Sequence, residues 1–265
     1  NKGAKWTALS YLEDAIKNGA EIDYETRAER VIVDGGKVKG IRAVSQQGPR
    51  EILANIVILS AGGIGTPVIL QNSGINDAGA GFFTDLLVNV YGVTGDDKFN
   101  QVFEPAMALV NLDFHQTGGF LLSPFVNHPA MVKFIEFGLR GFMIPDRRTL
   151  GIMVKITDEP AGHVYPDGSV SKPVTEKDWQ RLREGAGIAK EILEKAGAKS
   201  IKVSRVQGGH PGGTAAIGKV VDKNLQTKVD GLFVCDASVL PVAPGLPPIL
   251  TIVALAKRLA SIIAP

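Results

Sequence analysis

The chain has 265 residues, 29 of them basic and 27 acidic, for a formal net charge of +2; 45% are apolar and 21% charged. That is enough for one large domain or two smaller ones, with the composition of an ordinary soluble globular protein. The charges form no basic cluster, which argues against nucleic acid or an anionic membrane as partner, and a single cysteine, Cys235, excludes an internal disulfide framework.

In chain order, the first predicted element is an amphipathic helix from Lys5 to Asn18, with Trp6, Leu9, Leu12, Ala15 and Ile16 at helical spacing. Gly19 follows as a left-handed cap. The segment has no continuous apolar core and so does not read as a secretory signal. Glu21 to Tyr24 and Thr26 to Asp34 are strand-like, Gly35-Gly36 makes a tight turn, and Lys37 to Ser45 returns as a strand. The apolar run Ile56 to Leu59 has the character of a buried parallel strand and ends in Ser60-Ala61-Gly62-Gly63-Ile64-Gly65. A helix is expected next, with Thr66 as its cap and Pro67 in its first position.

From Phe82 to Ser200 strand-like pieces dominate (Leu86 to Val93, Met107 to Phe114, Ile152 to Thr157), separated by Phe- and Gly-rich loops. A helix from Glu176 to Ala196 is opened by Thr175, with Asp178 placed to complete a capping box. Residues 82–205 are therefore read as a second domain inserted into a first, which comprises residues 1–81 and 206–265. Within the latter segment lie a Gly-rich loop, a strand from Gly231 to Cys235, a Pro-rich loop and a last helix from Ile249 to Ala264. That helix is the most apolar stretch, yet it is too short to span a bilayer and contains Lys257 and Arg258, so it is expected to be buried. Cys235 is expected to be a small buried hydrophobe, and the setting reducing and cytoplasmic, with no membrane span.

Three segments carry chemistry. ILSAGGIG (residues 58–65) is a strand entering a glycine turn, open to a dinucleotide laid across strand ends, although a plain strand-to-helix turn would look the same. Gly231 to Ser238 delivers Asp236 at the end of an apolar strand, where a carboxylate and nearby amides could hold cofactor oxygens; a capping aspartate is the bland alternative. The loop Gly208-Gly209-His210-Pro211-Gly212-Gly213-Thr214 puts a histidine where it can titrate and be aimed. His115, His128 and His163 lack such a setting, and no metal site is expected.

The run GGIGTPVILQNSGI (residues 62–75) resembles the second signature of the glucose-methanol-choline (GMC) flavoenzymes. HPGGTAAIG, VDKNLQTKVDGLFVCDASVLP, a Pro-rich turn and TIVALAKRLA follow in that family's order and rough spacing. The resemblance covers residues 4–76 and 206–265 and is only general in between. It implies an α/β (mixed α+β) fold, an incomplete Rossmann-like FAD-binding domain with an inserted antiparallel-sheet substrate domain. It also implies an FAD-dependent dehydrogenase that oxidises an alcohol by hydride transfer to flavin N5, with His210 taking the hydroxyl proton. Asp236 and Ala237 would contact FAD, Gly62 and Gly63 would approach its adenosine side, and Ala28 would meet adenine through its backbone. Pro248 and Ile249 would open the last helix toward the flavin pyrimidine.

Two departures from the family pattern stand out. Pro247 occupies the place of a second polar residue opposite the histidine, with Asn127 or His128 as candidates to replace it. No strand is followed by G-x-G-x-x-G, so the pyrophosphate site is expected to be completed by an amino-terminal half on the same polypeptide or a separate subunit. An electron-acceptor protein is a further possible partner. The competing readings are a non-catalytic flavoprotein-like subunit and an FAD enzyme acting on a C=C bond or ring ketone.

Overall fold

The computed structural model describes residues 7–95, 101, 107–126, 134–135, 137–144 and 146–264. Its elements in chain order are α1 (Leu9–Lys17), β1 (Arg27–Asp34), β2 (Lys37–Ser45), β3 (Gly48–Leu53), β4 (Val57–Leu59), α2 (Gly62–Asn72), β5 (Ala80–Phe82) and β6 (Leu87–Val93). Then come β7 (Phe120–Pro124), β8 (Thr149–Ile156), β9 (Gly162–Val164), β10 (Val170–Ser171), α3 (Glu176–Lys195), β11 (Lys199–Val203), β12 (Leu232–Val234) and α4 (Ile249–Ile263). The result is a mixed α/β molecule with several antiparallel sheets.

β1, β2 and β3 form an antiparallel meander, with Gly35-Gly36 joining the first two. β4 and β12 pair in parallel, Leu232 opposite Val57 and Val234 opposite Leu59, although 175 residues separate Ser60 from its hydrogen-bond partner Cys235. α2 lies against β1, where the Ser73 hydroxyl accepts from Val31 N–H at 2.7 Å. One core joins these parts, with Val31, Leu59, Leu70, Leu225, Leu232 and Leu259 among its buried side chains.

A second core belongs to the antiparallel sheet β11-β6-β8-β7 and the helix α3 that covers one face of it. Strand alternation sends Val88 and Val90 of β6 and Val154 and Ile156 of β8 toward α3, and Asn89, Met153 and Lys155 toward the opposite face. The helix comes close because Gly185 has no side chain: a Cβ there would stand 2.4 Å from Val154 Cγ1. Thr175 and Asp178 make the expected capping box, each side chain accepting from the other's backbone N–H.

Several expectations are corrected. Glu21 to Tyr24 and Met107 to Phe114 are not strands; the latter contributes only an isolated bridge between Asn111 and Leu122. The second segment runs beside the edge strand β7 but bonds to its backbone N–H and C=O groups only at Asn111 and Met107, too few successive hydrogen bonds for a ladder. α2 starts at Gly62, so Thr66 and Pro67 lie inside the helix and Thr66 is not its cap. α4 is not buried: only Leu259 is fully enclosed, and Leu250 is 77% exposed. Its residues are apolar around most of the circumference, but only one seam, through Leu255, Leu259 and Ile263, meets the core. Lys5, Trp6, Asn127 and His128 lie outside the described residues. Among the described residues no helix is long and apolar enough to cross a membrane.

Candidate functional site

The site is assembled around the loop that carries His210. Gly209 and His210 both donate their backbone N–H to Thr84 O, at 2.7 and 3.0 Å. Further along, Gly213 N–H donates to Ala237 O at 3.2 Å and Ala215 N–H to Ser238 O at 2.8 Å. The loop is thus held at one end by the turn before β6 and at the other by the turn after β12.

A proline in α2 supplies a third attachment. Pro67 has no N–H to give to the carbonyl four residues earlier, which is Gly63 O. That carbonyl accepts from Thr214 Oγ1 at 2.8 Å. The two backbones can approach because a Cβ on Gly63 would lie 2.4 Å from the Pro211 carbonyl carbon. The lack of a side chain at Gly63 is therefore already accounted for by contact within the protein.

Asp236 holds the strand ends together. Its Oδ2 accepts from Gly62 N–H at 2.9 Å and Thr66 Oγ1 at 2.5 Å, and its Oδ1 accepts from Ser238 N–H at 2.8 Å. Thr66 Oγ1 in turn accepts from Ala61 N–H at 3.0 Å. Thr66, read from sequence as a cap, is instead the bridge between the start of α2 and this carboxylate. Burial, and secondarily Asp236, raise the pKa of the neighbouring Cys235 thiol above the ordinary range, so it stays protonated.

His210 lies against two buried charged residues. Its Nδ1 stands 3.0 Å from Asp85 Oδ2 and 3.1 Å from Lys155 Nζ, and Nζ is 4.0 Å from the same Oδ2. Asp85 and Lys155 side chains are 0% and 3% exposed, whereas the His210 side chain is 31% exposed. Asp85 Oδ1 accepts from Gly245 N–H at 3.2 Å, which ties the segment before α4 to the histidine. Desolvation lowers the Lys155 pKa, with Asp85 opposing the shift. Asp85 has φ of +50°, an uncommon backbone state for a residue with a side chain.

A further carboxylate braces that turn. Asp158 accepts from Thr84 N–H at 3.2 Å and Leu86 N–H at 3.3 Å, on either side of Asp85, while Lys172 Nζ stands 3.0 Å from its Oδ2. Burial raises the Asp158 pKa, and Lys172 offsets part of that.

The residues singled out from sequence fall into two places. His210, Gly62, Gly63, Asp236 and Ala237 are linked through the contacts above, and Pro248 and Ile249 begin α4 just beyond Gly245. Ala28 is elsewhere, in a pocket of about 550 Å³ that it lines with Arg27, Arg30, Val68 and Asn72. Asp85 and Lys155 were not anticipated. The available signal was a lysine in the otherwise apolar run Gly151-Ile152-Met153-Val154-Lys155-Ile156 and an aspartate within Phe82 to Leu87.

An FAD molecule across these strand ends needs backbone with room beside it. A side chain on Gly62, in the first turn of the 11-residue α2, would meet nothing within 4 Å, and Ala237 is half-buried at the opposite strand end. Asp236 already takes Gly62 N–H at the α2 amino end, so this turn offers the cofactor open space beside backbone and not a free anion site. Both oxygens of Asp236 are already taken, so that residue would serve by shaping the turn. Within those terms the residues present fit the group.

Models of the GMC oxidoreductase family match residues 1–87 and 154–256. An uncharacterized protein of Methanocaldococcus jannaschii is 32% identical over 262 residues, 96% of this chain and 63% of that protein. A long-chain-alcohol oxidase of Arabidopsis thaliana is 25% identical, over 94% of this chain and 43% of its own length. This chain therefore spans less than two thirds of the length of either relative. Among solved structures, pyridoxine 4-oxidase from Mesorbium loti is similar with a TM-score of 0.65 and 21% identity, covering 89% of this chain and 56% of that one. Formate oxidase from Aspergillus oryzae, in a variant studied for FAD modification, has a TM-score of 0.70 at 18% identity, covering 90% and 60%.

Proposed function

Because the chain belongs to the GMC oxidoreductase family, we propose that the protein is an FAD-dependent dehydrogenase that oxidises an alcohol, with His210 as the base. When bound, FAD supplies a flavin ring that accepts hydride from the alcohol carbon. The protein's own residues do the rest. His210 removes the hydroxyl proton through the ring nitrogen that faces away from Asp85, and the three anchors of its loop limit how far the ring can drift. Gly62, Gly63, Asp236 and Ala237 hold the dinucleotide by backbone and turn shape, and Ala28 meets the adenine end. The amino end of α4, at Pro248 and Ile249, has no side-chain cap and lends its dipole to negative charge on the cofactor.

The observation that carries this reading is the placement of His210: an accessible imidazole whose loop is pinned to both strand-end turns and whose rear nitrogen is occupied by buried charges. A solvated histidine with no role would have no reason to be held so closely. A relative named as a long-chain-alcohol oxidase supports oxidation of an alcohol.

The test is anaerobic reduction of the FAD-loaded protein by a panel of alcohols, followed at the flavin absorbance. His210→Ala should slow reduction by about 100- to 10,000-fold while flavin content is retained. Unchanged reduction would remove His210 from the mechanism. A dye acceptor assayed beside oxygen uptake separates the dehydrogenase from an oxidase; uptake matching turnover would replace the first with the second.

A further inference from the structure

One ring nitrogen of His210 has two competing partners, and the outcome determines what the other nitrogen can do. Nδ1 offers a single in-plane direction: it either donates a proton to Asp85 Oδ2 at 3.0 Å or accepts one from Lys155 Nζ at 3.1 Å. In neutral histidine the first arrangement leaves Nε2 with a lone pair, and the second puts the proton on Nε2 and disables it as a base.

The bond count favours the first arrangement. With the proton on Nδ1, Asp85 Oδ1 accepts from Gly245 N–H and Oδ2 accepts from the imidazole. Lys155 Nζ, 4.0 Å from Oδ2 on a flexible four-carbon stem, needs to move only about 1 Å to donate there too. With the proton on Nε2, Oδ2 loses its imidazole donor, and the single Lys155 ammonium, 3.1 Å from Nδ1 and 4.0 Å from Oδ2, has to serve both acceptors.

We propose that Asp85 and Lys155 are positioning residues for His210: the Asp85 carboxylate takes the Nδ1 proton and leaves Nε2 free, and the Lys155 ammonium, against both groups, sets the charge beside that hydrogen bond. Burial penalises the ammonium form of Lys155, and the Asp85 carboxylate opposes that penalty. Of the other charged groups nearby, Asp158 faces the Thr84 and Leu86 amides, Lys172 faces Asp158, and Asp178 faces Lys172. They hold the Asp85 turn in place without contacting the ring.

The role in proton transfer rests on the reading of His210 as the base, but the tautomer can be read without any substrate. In the FAD-loaded protein with ¹⁵N-labelled histidine, His210, assigned by comparison with His210→Ala, should show a protonated Nδ1 and an unprotonated Nε2. Asp85→Asn keeps a residue type that tolerates the positive φ, but its amide can donate to Nδ1, so the proton should move to Nε2. Alcohol-driven flavin reduction should then fall by about 100-fold or more. Lys155→Met removes a cation next to the ring, and the acidic limb of the pH profile for flavin reduction should move to higher pH by about one unit.

A purely structural role predicts an unmoved tautomer and an unmoved limb in variants that keep their flavin. Either result overturns the proposal, as does a wild-type ring already protonated on Nε2. If no alcohol reduces the flavin, the dehydrogenase reading fails on its own and the tautomers of the wild type and of Asp85→Asn still decide this one.

Discussion

The His210 loop and helix α4 lie close together and are held in opposite ways. The loop is short and irregular, yet Thr84, Gly63, Ala237 and Ser238 all hold it through hydrogen bonds to separate elements. α4 is regular and strongly apolar, yet Leu250 is 77% and Ile249 52% exposed and it meets the core along one seam. Regular secondary structure satisfies its own backbone and so does not need its neighbours for it; an irregular loop must find partners elsewhere, and in finding them it becomes fixed. A histidine that must be aimed is better placed on the second kind of segment.

Substitutions at the loop's supports should break that contrast most strongly. Asp236→Ala leaves Gly62 N–H, Ser238 N–H and Thr66 Oγ1 without their acceptor and should cost about 3–5 kcal/mol in urea unfolding. A loss below about 1 kcal/mol would mean that the strand-end turns hold without the carboxylate. Gly63→Ala puts a methyl group where the Pro211 backbone lies and should cost about 2–3 kcal/mol. It should also slow flavin reduction in whatever protein remains folded, because the displaced segment adjoins His210. The smallest expected effect is at Thr175→Ala, which removes the α3 cap and should cost about 1 kcal/mol with flavin reduction unchanged. If turnover fell there too, the sheet unit and the histidine loop would be more tightly coupled than their separate cores imply.

The parts legible in the sequence are those whose cause is local. The hairpin at Gly35-Gly36, the capping box of α3 and the β12 strand each depend on residues within a few positions of one another. His210 was legible because glycine and proline around a histidine are unusual whatever the fold. Thr66-Pro67 was misread as a helix start for an instructive reason: the same pair opens a helix or, four residues inside one, frees a carbonyl. Only the position of Thr214 distinguishes the two. The exposed face of α4 was likewise hidden, since apolar content states what a helix could bury and says nothing about what lies beside it.

The sequence by itself determined the Gly35-Gly36 hairpin, the cap chemistry of α3, the β12 strand and the histidine in its Gly/Pro loop, because each follows from periodicity or from the backbone preferences of a few adjacent residues. Only the tertiary structure decided that Asp85, 125 positions away, and Lys155, 55 positions away, meet at one nitrogen of that histidine. Their meeting depends on strand register in the sheet and on the turn braced by Asp158, and such long-range contacts leave no trace in any window of neighbouring residues.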